Sequence, residues 1–150
     1  MAVQPVPDGY HTVTPYIVAG DAAALIDFVK AAFGAREIHA MRLPDGRVMH
    51  GDITIGDSHV MIGQAGGDSR PFPAMLYLYV ADADAMYNQA LAAGGTSLQE
   101  PATQFYGDRH GAVNDPWGNQ WWIATHVEDV AEDEMQRRAA AFMARRAASN

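Results

Sequence analysis

QFYGDRHGAVNDPWGNQWWIATHVEDV, from Gln104 to Val130, is the stretch that decides how this chain is read. It holds all three tryptophans and two of the six histidines, set between turn-forming sequences and strand-like runs. Tyr106-Gly107-Asp108-Arg109 reads as one turn, and Asp115-Pro116-Trp117-Gly118-Asn119 as a second. Proline pre-sets φ for a turn and glycine reaches positive φ without steric cost, so Asp-Pro-Trp-Gly between apolar runs has a mechanism as a turn. Arg109–Asn114 and Gln120–Thr125 flank it as strands. The second of these is aromatic and β-branched, which suits a half-buried strand.

Working upstream, Ser97–Phe105 and Met75–Val80 read as two more strands. Between them lies a helix capped by Asp82 or Asp84 and ending near Ala93-Gly94-Gly95. The first half has the same order. Val13–Val18 reads as a strand in which Pro15 marks an edge or a start. Asp21 caps a helix over Ala22–Phe33, whose Ala24, Leu25, Phe28, Ala32 and Phe33 recur at helical spacing, and Gly34 closes it. Arg36–Leu43, Arg47–Ile55 and His59–Gln64 follow as strands, separated by Pro44-Asp45-Gly46 and Gly56-Asp57-Ser58 turns. Similar segments recur at offsets of about 60 residues, which defines a repeat of two βαβββ units. The expected fold is therefore α+β: one domain over residues 1–150, with modules at 11–66 and 74–126. A C-terminal helix at 130–148 follows, acidic at its start and basic at its end, as the helix dipole favours. Residues 1–10 read as an extended lead-in.

Composition narrows the function classes. Hydrophobic residues at 49% and charged residues at 19% are ordinary for a globular domain. The formal net charge of -8 disfavours nucleic-acid binding, because phosphates call for a clustered basic surface. Arg137, Arg138, Arg145 and Arg146 are the only basic concentration, and they fall in the C-terminal helix. Absence of cysteine excludes disulfides, thiolate nucleophiles and zinc-thiolate sites. No apolar run is long enough for a membrane span, and the N-terminus lacks the pattern of a signal peptide. Cytoplasmic residence is the expectation. There is no phosphate-binding glycine loop, no G-x-S-x-G elbow and no H-E-x-x-H helix, so no cofactor is expected.

The paired βαβββ units, the Asp115-Pro-Trp-Gly-Asn turn and the YGDR turn resemble the vicinal oxygen chelate superfamily of glyoxalase I, bleomycin-resistance proteins and extradiol dioxygenases. HGDITIGDSHVMI and FYGDRHGAVNDPWGNQWWIATHVEDV resemble its PhnB-like, glyoxalase-like branch most. The resemblance implies two modules with curved mixed sheets around a cup, a common homodimeric state, and metal ligands on the first and last strand of each module. Counted onto this chain, those positions are Thr14, Met61, Met75 and Trp122. None is His, Glu or Asp, so the donors a divalent ion requires are missing and no metal is expected there.

Alternation along the strands brings Thr12, Tyr16, His59, Gly63, Tyr77, Tyr79, Gln120 and Ala124 to the same faces. Tyr16, His59, Met61, Met75, Tyr77 and Trp122 are the expected contacts for a small, flat ligand, unless these side chains simply fill a packed core. His50 and Asp52 share a strand face with Thr54 beyond. They read either as a base oriented by a carboxylate, as a partial metal site, or as the polar outer face of a hairpin. Arg109 in the YGDR turn is either a bidentate anion-binding group or an internal brace. His11, His39, His110 and His126 show no partner pattern and read as surface or capping residues, though a His126–Glu128 pair leaves a metal there open. Three functions compete. The first is metal-independent binding of a small aromatic or cationic compound. The second is a lyase or dioxygenase-like enzyme built on His50 and His59, with Asp52 or Arg109 assisting. The third is a structural or regulatory dimer with a self-filled cup.

Overall fold

Pro15 has no amide hydrogen to give to a ladder, and the first strand begins immediately after it. In the computed structural model, which describes residues 3–149, the first module runs β1 (Tyr16–Ala19), α1 (Ala22–Phe33), β2 (Arg36–Arg42), β3 (Val48–Ile55) and β4 (Ser58–Gln64). The second runs β5 (Met75–Tyr79), α2 (Ala83–Ala92), β6 (Thr96–Thr103), β7 (Asp108–Asn114) and β8 (Gln120–His126), followed by α3 (Glu132–Ala148). The sheets have matching orders, β1-β4-β3-β2 and β5-β8-β7-β6. In each, the first and last strands of the module pair in parallel, and the remaining pairs are antiparallel. The repeat read from the sequence is the repeat of the fold.

Helices α1 and α2 are started by the predicted chemistry. Asp21 accepts the amide of Ala24 at 3.0 Å, and Gly34 ends α1 in the left-handed region with φ 65°. Of the two candidates for α2, Asp82 is the cap, accepting from Ala85 at 3.0 Å. One face of each sheet is buried under its helix. Ile17, Ile53, Val60 and Ile62 lie against α1, while Val113, Trp121 and Ile123 belong to the second module's share of the same core. The helices join the modules: Phe33 packs on Trp121 with ring centroids 4.9 Å apart, Phe28 meets Trp117 edge-on at 6.2 Å, and Gln89 donates to the Ala31 carbonyl. A cleft of about 660 Å³, walled by Phe33, Val60, Leu76, Leu78 and Met86, remains between the modules.

The Asp115–Asn119 turn is held from within. One Asp115 oxygen accepts the amides of Trp117 and Asn119, and the other accepts Asn119 Nδ2 at 2.7 Å and Trp121 Nε1 at 2.9 Å. Asn119 in turn accepts the Ala74 amide at 2.9 Å, tying the turn to the start of β5. Buried polar groups without partners are costly, and this turn satisfies its own while burying Asp115 and Asn119.

Two differences of boundary bear on the site, beyond shifts of a residue or so elsewhere. β1 starts at Tyr16 rather than Val13. β6 stops at Thr103, because the turn is Gln104–Gly107, closed by the Gly107 amide on Gln104 and the Gln104 amide on Asp108. Asp108 and Arg109 are consequently strand residues, and alternation sends them to opposite faces. Gly107, with φ 96°, also allows the chain after β8 to pass over it: a Cβ there would lie 2.1 Å from the Glu128 carbonyl oxygen. α3 docks lightly through Phe142 on Phe105, at 5.1 Å, and through Arg138 on Glu128 and the Phe105 carbonyl. None of its residues is fully buried. No helix among the described residues is long and apolar enough to cross a membrane.

Candidate functional site

The sheet faces turned away from the helices carry nearly all the polar chemistry. On the first, β1 contributes Tyr16, β3 His50, Asp52 and Thr54, and β4 His59, Met61 and Gly63. Tyr16 Oη lies 3.2 Å from His50 Nδ1. It reaches there across Gly63, where a Cβ would stand 2.5 Å from that hydroxyl. The expected His50–Asp52 pairing does not form. The diagonal neighbour across the β3–β4 ladder takes its place. Asp52, only 5% exposed, instead accepts from His59 Nδ1 at 3.0 and 3.1 Å. Tyr10, from the segment read as a lead-in, lays its ring on His59 with centroids 3.9 Å apart and donates its hydroxyl to Asp52. That hydrogen bond, with burial behind it, holds the Tyr10 phenol above its ordinary pKa. Thr54 Oγ1 is buried on this face without a partner among the described residues. A cavity of about 410 Å³ separates the arm from the sheet, with Thr14 and Met61 in its wall.

The second face gathers Met75, Tyr77 and Tyr79 of β5, Asp108 and His110 of β7, Trp122 and His126 of β8, and Tyr106 of the turn. Asp108 is 5% exposed and accepts from Tyr79 Oη at 2.8 Å, Tyr77 Oη at 3.4 Å and His126 Nδ1 at 2.8 Å. Burial pushes its carboxyl up, but the bonds from His126 and Tyr79 outweigh burial and hold it below the usual range. His126 is correspondingly raised, first by Asp108 and then by Asp129, which accepts from Nε2 at 2.8 Å. Tyr77 is raised chiefly by desolvation and Tyr79 by its bond to Asp108. His110, 4% exposed, is lowered by burial and bonded at Nε2 to Tyr106 Oη at 2.7 Å, while its Nδ1 has no partner among the described residues. It stands edge-on to Trp122 at 5.2 Å and to Tyr77 at 6.0 Å.

All six expected ligand contacts lie on these two faces: Tyr16, His59 and Met61 on the first, Met75, Tyr77 and Trp122 on the second. Arg109 lies on the helix side, paired through two bonds of 2.6 and 2.7 Å with Asp84 of α2. Reading His110 and His126 as surface or capping residues missed their role in the second cluster. The signal was in the alternation: β7 positions 108 and 110 and β8 positions 122 and 126 share a face. It was obscured by placing Asp108 in a turn and ending β8 one residue early. The His126–Glu128 pair does not form either, since Glu128 is taken by Arg138 and His126 by two aspartates. Tyr10 had no local signal at all.

The fold's relatives imply a divalent ion, and the residues here do not fit one. Thr14, Met61, Met75 and Trp122 offer a hydroxyl, two thioethers and an indole in place of imidazole and carboxylate donors. Among the described residues no three His, Asp or Glu side chains converge. His126 meets its two carboxylates from opposite ring nitrogens, so those donors point apart.

Sequence and structure comparisons agree with this architecture. Uncharacterised proteins of Mycobacterium bovis and Mycobacterium tuberculosis are each 36% identical over 134 residues, spanning 82% of this chain and 88% and 79% of theirs. Among solved structures, TioX from Micromonospora sp. ML1 superposes with a TM-score of 0.68 at 21% identity, covering 78% of this chain and 99% of its own. A PhnB protein from Bacillus cereus gives 0.62 at 18% identity, covering 77% and 99%. Both are likenesses of fold. The family profile matches residues 10–123, and the chain belongs to the Glyoxalase/Bleomycin resistance protein/Dioxygenase superfamily.

Proposed function

We propose that this protein binds a small, largely flat aromatic or cationic organic molecule, without a metal, in a cup walled by the two open faces. The observation that carries the reading is the exchange at Thr14, Met61, Met75 and Trp122. Where the family resemblance places metal ligands, this chain has apolar and weakly polar groups, with Tyr16, Tyr77 and Tyr79 beside them. Stacking on Trp122 and Tyr77 is the main attraction, and His59 supplies a polar contact. The net charge of -8 and the aromatic faces favour cations over anions. Met75, Tyr77 and Tyr79 are 62%, 40% and 66% exposed, a large apolar area for one strand to leave in water. A second copy covering that strand completes the cup in a homodimer, which sedimentation tests directly.

Titration with flat aromatic and quaternary-ammonium compounds should change tryptophan emission, and Trp122→Phe should remove the change. Binding that persists after exhaustive chelation is the expected result. Stoichiometric nickel, zinc, iron or manganese in the purified protein overturns metal independence.

The Asp52–His59 pair also supports an enzymatic reading of the lyase or dioxygenase-like type. An imidazole oriented by a buried carboxylate can serve as a general base, with His50 and Tyr16 beside it. Conversion of a bound compound, lost in His59→Ala or His50→Ala while Trp122 still reports binding, would establish it. Binding without conversion leaves the carrier reading alone.

A further inference from the structure

Asp52 and His59 are covered by a residue that belongs to neither sheet. Tyr10 sits on the arm before β1, and the arm touches down sparsely. Its own turn is closed by the Tyr10 amide on the Pro7 carbonyl, and it joins the sheet where the Met61 amide donates to Pro15. Between these lies the cavity of about 410 Å³, with Pro7, His11 and Thr12 on its arm side and Met61 on its sheet side. The arm's side-chain hold on the face is the Tyr10 ring, with Gly9 passing close to His59. The ring stacks on His59 at 3.9 Å with an interplanar angle of 21°, and its hydroxyl bonds Asp52.

The geometry points to a phenol-binding subsite on the first open face, occupied here by the chain's own Tyr10. Each of its parts recognises one feature of a hydroxylated ring. The imidazole of His59 offers a flat surface for stacking. The Asp52 carboxylate accepts one hydroxyl hydrogen, and it repels an aryl carboxylate. Thr54 Oγ1, buried without a partner among the described residues and opposite His59 in the β3–β4 register, can bond a ring substituent that Tyr10 lacks. The arm is a tethered competitor: a free phenol binds only the fraction of molecules in which Tyr10 has left, and its apparent affinity falls by that fraction. This deepens the cup reading, on which it rests, by naming the ligand class for one wall and the segment that controls access to it.

p-Cresol, the free equivalent of the tyrosine side chain, and toluene, which lacks the hydroxyl, are the probes. Binding is read from the His59 ring signals by NMR, with Trp122 emission recorded in the same titrations. Tyr10→Ala should bind p-cresol about tenfold more tightly than the unmodified chain. It should prefer p-cresol over toluene, and Asp52→Asn added to it should erase the preference. Tyr10→Phe, which keeps the stacked ring without the hydroxyl, should fall between. Equal p-cresol affinity in Tyr10→Ala and the unmodified chain overturns the proposal, and so does toluene matching p-cresol. If flat aromatics change Trp122 emission in Tyr10→Ala while His59 stays unmoved by p-cresol, the subsite fails and the cup stands. A hydroxyl-dependent His59 response with Trp122 silent supports the subsite and removes the second wall from the cup.

Discussion

The two open faces are built on the same register and differ in where water reaches. Tyr16 pairs with Met61 in the first module as Tyr77 pairs with Trp122 in the second. His50 stands opposite Gly63 and His110 opposite Ala124, so the two histidines occupy equivalent positions. Each has a tyrosine partner, Tyr16 for His50 and Tyr106 for His110. His50 is half-buried at an accessible surface, whereas His110 is sealed beneath Tyr77, Tyr106 and Trp122. The carboxylates have moved as well. Asp52 lies mid-strand opposite Met61, where the second module has Ala112 opposite Trp122, and the second module's Asp108 lies at the start of β7 beside His126. A duplicated scaffold thus carries one face whose polar centre, Asp52 and His59, is covered by the arm, and another whose Asp108 and His110 are covered by its own tyrosines while Met75, Tyr77 and Tyr79 stay at the surface.

Replacing the largest buried side chain should have the largest effect on this contrast. Trp121 is fully buried, and its register equivalent in the first module is Val60, since Ile53 faces Val60 as Val113 faces Trp121. Trp121→Ala should cost about 3–5 kcal/mol in urea unfolding, including the loss of its bond to Asp115. Val60→Ala should cost about 1–2 kcal/mol, in line with the smaller apolar area it removes. Equal costs would mean that Trp121 contributes no more to the shared core than Val60 does.

Next comes Gly63, whose equivalent is already Ala124. A methyl group at Gly63 gains roughly 0.5–1 kcal/mol by stiffening the unfolded chain but meets the Tyr16 hydroxyl. Overpacking costs about 1–3 kcal/mol, and the low end applies because Tyr16 is 49% exposed and can swing out. Gly63→Ala should therefore be slightly destabilising and should release His50 from Tyr16, visible as altered His50 ring signals. A stabilised variant with unchanged signals would show that the ring does not lie over Gly63.

Much of the frame was legible because it is local. Helix caps at Asp21 and Asp82, the Gly34 terminus and the Asp115–Asn119 turn follow from short-range chemistry, and the repeat follows from comparing the halves. The grouping of Tyr16, His59 and Met61 on one face and of Met75, Tyr77 and Trp122 on the other followed from alternation along single strands. Partners across strands were not legible: Asp52 chose His59 over His50, and Asp108 chose His126, because register joins residues that sequence separates. Placing the turn at Tyr106–Arg109 rather than Gln104–Gly107 also hid Asp108 from its own face. Tyr10 lay furthest out of reach, since an arm's docking depends on a surface that exists only once both β3 and β4 are formed.

Within the second face the two histidines should titrate in opposite directions. His110 should protonate below the ordinary imidazole value of about 6.5 and His126 above it. His110 favours the folded state above pH of about 6.5, and that contribution is lost as pH falls toward its folded pKa. His126 contributes below the same value and loses its contribution as pH rises through its folded pKa. NMR titration of the C2 protons checks both directions, and Asp108→Asn should bring His126 back toward the ordinary value. Two histidines titrating together would mean that water reaches the ring of His110.

Arg109 should matter least, although it neighbours both Asp108 and His110 in sequence. Alternation turns it to the helix side, where Asp84 is 46% and Arg109 36% exposed, and exposed pairs of this kind are strongly screened. Its equivalent in the first module is Met49, which holds no such pair, so the brace is not required by the fold. Arg109→Gln should leave the Trp122 response to aromatic ligands unchanged and lower thermal stability slightly, with the difference vanishing in 1 M salt as the Debye length shrinks to about 3 Å. Asp108→Asn, one residue away, should weaken that response, because Tyr77 and Tyr79 lose the carboxylate that fixes their hydroxyls. Equal loss of binding in the two variants would mean that the ligand reaches the helix side of β7, and the division of this module into a chemical face and a structural face would fall.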